Sequence, residues 1–266
     1  MTAPTRSRPL VAGVDDVDLA PAPSSAADAP DHEPLALHDV RAGYGRIEVL
    51  HGVSIAVRRR AVTALLGPNG AGKSTTLGVM SGLIRPSSGC RHVEGRHLNR
   101  ATSAELARIG VCHIREGRSV FPNLSVADNL TVAASAGASR DRLVEVAFTL
   151  FPRLKERRKQ LAGTMSGGER QMLALARGLG TDPTVLLIDE LSMGLAPLVV
   201  AELYEAVAGV SDSGVSVLVV EQFASIGTRY ASHVCVMAHG VITYDGAADG
   251  AAASDAIHAA YLGSGT

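Results

Sequence analysis

The sequence predicts an α/β fold, and three observations carry that expectation. Residues 61–66 form a short apolar, partly β-branched run, followed at once by a glycine-rich stretch and a proline-free, helix-compatible segment at 75–80. Residues 185–188 and 216–220 repeat the buried-strand pattern, and they end in Asp189-Glu190 and Glu221-Gln222. Between these strands, residues 125 to about 180 are mostly helical in pattern, a helix-rich insertion in an otherwise α/β chain.

The bulk numbers bound what such a fold can do. A chain of 266 residues holds one large domain or two small ones, with a real core. With 46% hydrophobic and 19% charged residues it has the composition of a soluble globular protein, and a net charge of -1 gives no argument for nucleic acid or acidic lipid. The absence of Trp and an aromatic fraction of 3% leave few stacking platforms for single strands. Cys90, Cys112 and Cys235 are isolated and the nine histidines lack ligand spacing, so neither a disulfide framework nor a zinc site is expected, and a reducing compartment is. No apolar run reaches the roughly 18 residues of a membrane span, so any spanning part must come from a partner.

In chain order, residues 1–33 are rich in Ala, Pro, Asp and Ser and are expected to be a disordered tail. Residues 35–40 and 49–57 read as strands, the second ending at Arg58-Arg59-Arg60, a solvated turn. Gly43-Tyr44-Gly45 sits between them, an aromatic flanked by permissive glycines. The strand at 61–66 runs into Gly67-Pro68-Asn69-Gly70-Ala71-Gly72-Lys73-Ser74-Thr75, a glycine, four spacers and Gly-Lys-Ser. Its glycines let successive N–H groups converge on one anion, and the helix starting near Lys73 adds its unpaired donors and positive dipole end. Lys73 is one of only three lysines beside 22 arginines, so a lysine in this slot is unlikely filler. It supplies a mobile charge for phosphates, and Ser74 a hydroxyl for Mg²⁺.

Residues 85–89 read as a turn, 90–93 as a short strand, and 109–114 as a strand leading into Arg115-Glu116-Gly117-Arg118. Ser125 caps a helix, and 141–151 shows a helical period closed by Pro152. Met165-Ser166-Gly167-Gly168-Glu169 precedes a helix at 170–179, and two glycines ahead of a helix N-terminus make a second anion site. Asp189 and Glu190 stand at a strand's carboxyl end, where one can hold Mg²⁺ and the other orient or deprotonate a water. A helix at 201–210, a hairpin of 233–237 with 241–244 around Gly240, and a short terminal helix at 254–262 complete the chain.

The phosphate loop, the Met165-Ser166-Gly167-Gly168-Glu169 stretch and Asp189-Glu190, in that order, resemble an ATP-binding cassette (ABC) ATPase subunit over residues 35 to about 262. The resemblance implies a P-loop NTPase of ABC type filling residues 34–266, with an N-terminal antiparallel β subdomain and a helical subdomain, about 120–180, inserted in a RecA-like core. It further implies that ATP is the nucleotide, with Tyr44 stacking on adenine and residues Gly67, Pro68, Asn69, Gly70, Ala71, Gly72, Lys73, Ser74 and Thr75 around the phosphates. Ser74, Glu116 and Asp189 become the Mg²⁺ set, Glu190 the general base, and Gln222 occupies the switch position. Ser166, Gly167, Gly168 and Glu169 would close over the γ-phosphate of ATP held by a second ATPase subunit, identical or related, in a head-to-tail dimer. Two integral-membrane permease subunits and, indirectly, an extracytoplasmic solute-binding protein are the other implied partners, with no nucleic acid and a peripheral place on the cytoplasmic face of the cell membrane.

Residues 44–54, Glu116-Gly117-Arg118-Ser119-Val120-Phe121-Pro122, Gly194-Leu195-Ala196-Pro197 and Val220-Glu221-Gln222 resemble the subgroup that serves importers of branched-chain amino acids and related polar solutes. Glu116 in the Q-loop and Gln222 in place of the switch histidine fit that subgroup, and neutral Gln222 brings no titrating step. Urea or short amides remain alternative solutes. A soluble ABC-type ATPase of DNA repair or ribosome-associated kind is the other class. Those usually show coiled-coil insertions or two cassettes, whereas this chain has one P-loop and no sustained heptads. Arg115, Leu191 and Met165 depart from the subgroup pattern, the first two beside the Q-loop and Glu190, which puts turnover rate and coupling in question but not ATP binding. Ala196 occupies the D-loop Asp slot, as in close relatives.

Overall fold

The computed structural model describes residues 33–117, 119–134 and 138–262. The expectation for residues 1–33 therefore lies outside the described residues, apart from Glu33. In chain order the elements are β1 (Leu35–Tyr44), β2 (Ile47–Val57), β3 (Val62–Leu66), α1 (Lys73–Met80), β4 (Ser88–Val93), β5 (Arg96–His97), α2 (Ser103–Arg108) and β6 (Val111–Ile114). Then come α3 (Val126–Ala134), α4 (Arg140–Leu150), α5 (Pro152–Glu156), α6 (Gly167–Leu179), β7 (Val185–Asp189) and α7 (Pro197–Asp212). The chain closes with β8 (Ser216–Glu221), α8 (Ala224–Tyr230), β9 (His233–Ala238), β10 (Val241–Ala247) and α9 (Ala251–Leu262).

Two sheets result. One is antiparallel, ordered β2-β1-β4-β5; the other is ordered β10-β9-β3-β8-β7-β6. In the second, β9, β3, β8, β7 and β6 run parallel and only the edge strand β10 is antiparallel. Strands covered on both faces should be continuously apolar, and β3 and the body of β7 and β8 are buried throughout. Alternate residues face different cores. Leu65, Leu187, Leu218 and Val220 pack with α1 and the antiparallel sheet. Leu186, Ile188, Val217 and Val219 face the opposite way, onto α6, α7 and the helices that precede them. The parallel order places the carboxyl ends of β3, β7 and β8 side by side, which brings Gly67, Asp189-Glu190 and Gln222 toward one rim.

Several elements differ from their sequence expectation. Tyr44 ends β1 rather than lying in a loop, because the reversal needs only Gly45 and Arg46, with Gly45 at φ +60°. Pro152 does follow the end of α4, but it also opens α5 at the first helical position, where its missing N–H costs nothing. Helix α6 begins at Gly167, so the two glycines form its first turn instead of preceding it. Helix α2 was not foreseen, although Thr102 and Glu105 form a full capping box. Likewise α8 and the two-residue β5 went unread, being too short for a periodic signal.

A buried charge ties the antiparallel sheet to α1. Arg91 on β4 has no exposed surface, yet among the described residues no carboxylate answers it. Its guanidinium donates to the carbonyls of Val79 (2.6 Å), Ala101 (2.8 Å) and Leu98 (3.1 Å from Nε, with a second contact from the terminal nitrogen). Burial pushes its pKa down to about 10. The Val79 carbonyl, in the last turn of α1, accepts from the Gly82 N–H (3.1 Å) as well, and Arg91 adds a long-range C-terminal cap.

Candidate functional site

The site is built from the loop between β3 and α1. Gly70 adopts φ +80° and a Cβ there would meet nothing within 4 Å, so its backbone faces open space. At Gly67 a Cβ would lie 2.2 Å from the Met237 carbonyl, which only glycine avoids. Pro68 is half-buried, Asn69 exposed and Ala71 buried. The Ala71 N–H donates to Pro68 (3.2 Å) and its carbonyl accepts from Gly240 (2.9 Å), so the loop is pinned to the β9–β10 turn. Gly72, at φ +110°, precedes α1 with no side-chain cap, leaving the first amides of that helix free for an anion.

Lys73 is buried at 5% exposure and folds back over the loop, donating from Nζ to the carbonyls of Gly67 (2.7 Å) and Pro68 (3.0 Å). Burial lowers its pKa, and the charges of Glu190, Asp189 and Glu221 oppose that shift. Ser74 is exposed and donates from Oγ to Asp189 Oδ1 at 3.4 Å. Thr75 is buried and its hydroxyl reaches the hydroxyl of Tyr44 at 3.5 Å. Tyr44 itself is 57% exposed, so its ring borders the α1 start and remains open to solvent for a planar ligand.

Carboxylates crowd the other wall. Burial pushes Asp189 up to about 6, and the negative charges of Glu190 and Glu116 push the same way. Asp189 with its two acidic neighbours, beside a serine hydroxyl, forms an oxygen donor set whose crowded negative charge a hard divalent cation would relieve; Mg²⁺ fits it. Glu190 sits at φ +50°, a left-handed conformation unusual for a non-glycine residue, and its N–H is held by the Val220 carbonyl at 3.1 Å. Behind it, Leu191 is buried in the larger core, which explains how a leucine stands at that position. Met165 is buried in the same core and fills a leucine-sized space.

The second anion cradle lies at the α6 start. Gly167, Glu116 and Glu190 all line a cavity of about 560 Å³, together with Arg115 and Met193, whereas Lys73 and Ser74 do not. At the α6 start a capping box is already closed. Ser166 Oγ accepts from the Glu169 N–H (3.3 Å), and the Glu169 carboxylate accepts from the Ser166 N–H (2.9 Å) and hydroxyl (3.0 Å). Arg157 Nε pairs with Glu169 at 2.9 Å. The hydroxyl and carboxylate are thus spent on the helix end, and the amides of Gly167 and Gly168 are what this cradle can offer an anion.

Two functional neighbours escaped the sequence reading. Glu221, at 1% exposure, accepts from the Ser192 N–H (3.1 Å), the Ser192 hydroxyl (2.6 Å) and the Tyr204 hydroxyl (2.7 Å). It thereby locks the turn after Glu190 to the end of β8 and to α7. Tyr261 on α9 is the other; its hydroxyl contacts both Gly67 and Gln222. The signal for Glu221 was an acid directly continuing an apolar strand; Tyr261 carried none. A compact donor set also emerged across β9 and β10, where atoms of His233, Cys235 and Asp245 lie within 4.8 Å of one another. Asp245 is shared between His233 and Arg58 there, so its charge is occupied by ion pairs.

Burial raises the Glu221 pKa above its ordinary 4.5. The protonated form therefore favours the fold, and that contribution is present at low pH and lost as pH rises through the folded-state value. Glu221→Gln keeps an acceptor for Ser192 and Tyr204 and removes the penalised charge. We expect it to be more stable than the parent at about pH 8, with the difference closing toward about pH 4. Glu221→Leu leaves three buried donors unpaired and should lose about 2–4 kcal/mol. Chemical denaturation across pH checks both, and a constant offset between the Gln variant and the parent would refute the charge argument.

Comparison with known proteins places this geometry. The family model described as "ABC transporter" matches residues 50–192. The high-affinity branched-chain amino acid transport ATP-binding protein BraG of Pseudomonas aeruginosa is 38% identical over 231 residues, 86% of this chain and 99% of that protein. The probable branched-chain amino acid transport ATP-binding protein LivF of Archaeoglobus fulgidus is 31% identical, over 79% of this chain and 90% of that one. Among solved structures, the ADP conformation of an ATP-binding cassette of an ABC transporter superposes with a TM-score of 0.75 at 25% identity, covering 88% of this chain and 100% of that chain. With the loop, the paired acids and both sheets in place, the chain belongs to the ABC transporter family, as an ATP-binding subunit that hydrolyses ATP.

Proposed function

We propose that this chain powers the uptake of branched-chain amino acids, working with a second ATPase subunit and two membrane permeases. The observation that carries the reading is the end-to-end match to the Pseudomonas aeruginosa relative, 99% of whose length is covered at 38% identity. Glu116 and Gln222, the two subgroup substitutions, support it, and both stand on the rim of the site. Among the described residues no helix is long and apolar enough to cross a membrane, so attachment would come through the permeases.

In this reading Tyr44 stacks on adenine, and the backbone amides of residues 67–75 surround the phosphates. Lys73 exchanges its contacts with the Gly67 and Pro68 carbonyls for phosphate oxygens. Ser74, Asp189 and Glu116 hold Mg²⁺, which when bound neutralises phosphate charge. Glu190 takes the proton of the attacking water, and Gln222 orients water or phosphate by hydrogen bonding. Gly167 and Gly168, with Ser166 and Glu169 holding their turn, face the nucleotide of the opposite subunit. Supporting this, the cavity at the α6 start is lined by Gly167 and not by Lys73.

The test is uptake in cells lacking the gene, complemented with the parent or with Lys73→Ala. Labelled leucine, isoleucine and valine should enter only with the parent. Loss confined to urea or short amides would move the assignment to those solutes, and unchanged uptake of every solute would overturn the import role.

A further inference from the structure

The C-terminal helix reaches into the site. Ala256, Ile257 and Ala260 of α9 pack against Ala64, Leu66, Val234 and Val236 at the end of the parallel sheet. This docking delivers the half-buried Tyr261 hydroxyl to a point between β3 and β8. There it accepts from the Gly67 N–H at 3.0 Å and donates to the Gln222 carbonyl at 2.6 Å. A phenol has a single proton, so its only donation goes to Gln222. Gly67 is consequently held at both ends of its residue, by Tyr261 at the N–H and by Lys73 at the carbonyl.

We propose that Tyr261 is a positioning residue for ATP hydrolysis, setting the distance between the first residue of the phosphate loop and the backbone of Gln222. The proposal rests on the reading of Gln222 as a participant in hydrolysis. The β3–β8 ladder ends at Leu66 and Glu221, and one residue beyond it the Tyr261 hydroxyl bridges Gly67 and Gln222 from far away in sequence (194 positions to Gly67, 39 to Gln222). Without the hydroxyl, the Gln222 carbonyl loses its bridge to Gly67 beyond the end of the β3–β8 ladder, and its position there is less fixed. Ground-state ATP binding keeps the remaining loop amides and Lys73. The effect therefore belongs to the chemical step more than to binding.

Tyr261→Phe in the full-length chain removes the oxygen and keeps the ring packing. Steady-state ATPase should show kcat reduced about tenfold, with KM for ATP within about twofold and Tm within a few degrees. A residue acting through Gln222 should add nothing once that side chain is gone. Tyr261→Phe in a Gln222→Ala background should therefore leave kcat as in Gln222→Ala alone. Unchanged kcat in Tyr261→Phe overturns the proposal, as does a lower Tm with normal kcat, the mark of a merely structural contact. Equal fold-losses in both backgrounds overturn the route through Gln222. If Gln222→Ala itself turns over at the parental rate, the assignment of Gln222 falls. If Gln222→Ala is slow and Tyr261→Phe is not, only the Tyr261 proposal falls.

Discussion

Glu190→Gln is expected to lower ATP turnover by about 10²–10⁴-fold, because the attacking water loses its proton acceptor while the side chain keeps its shape. Binding should survive, since Lys73, Ser74 and the loop amides are untouched. The variant should accumulate as an ATP-filled dimer, visible by light scattering when ATP is added and absent when it is withheld. The backbone argues for the residue as much as the chemistry does. Glu190 holds φ +50°, anchored by the Val220 carbonyl, and Ser192 two residues on is locked by Glu221. A strained residue braced from both sides is one whose direction matters. Fast hydrolysis by the Gln variant would remove Glu190 from this role and shift attention to Glu116, which borders the same cavity.

Arg91→Met should cost about 2–4 kcal/mol of stability, because buried carbonyls lose the guanidinium that serves them. Three carbonyls, Val79, Leu98 and Ala101, would lose the guanidinium in a fully buried place, Val79 keeping the Gly82 N–H and Leu98 the Ala101 N–H. Methionine fills much of the volume, so the loss isolates hydrogen bonding from packing. Arg91→Lys should fall between, because one ammonium cannot span carbonyls that the guanidinium fork reaches from separate nitrogens. The measurement is urea denaturation of all three proteins, and a Met variant within about 1 kcal/mol of the parent would sink the argument. Since Val79 closes α1, which begins with Lys73 and Ser74, a loosened helix should also weaken ATP binding.

What was legible in advance was local. The strand, glycine loop and helix from Val62 to Met80 are specified by neighbouring residues, and they formed nearly as read. The buried strands β7 and β8 announced themselves by unbroken apolar runs, and Asp189-Glu190 by their place at the end of one of them. Boundaries were less secure where a turn needs few residues, as at Gly45, or where a proline suits a helix start, as at Pro152. The α6 cradle reads in sequence as two glycines ahead of a helix, with Ser166 to Glu169 placed over a γ-phosphate by the family resemblance. Its capping box shows the serine and the acid bound to each other, a contact written in the Ser-x-x-Glu spacing and passed over.

By itself the sequence determined the fold class, the phosphate loop, the paired acids and the family, because each depends on residue types at short, fixed spacing. Only the tertiary structure decided what the isolated polar residues do. Glu221 meets its partners 29 and 17 positions away, and Tyr261 meets Gly67 across 194. Arg91 is buried among carbonyls supplied by α1 and the segment after β5. A buried polar group must find partners, but which ones depends on how the sheets stack and where the helices dock, and no local pattern encodes that.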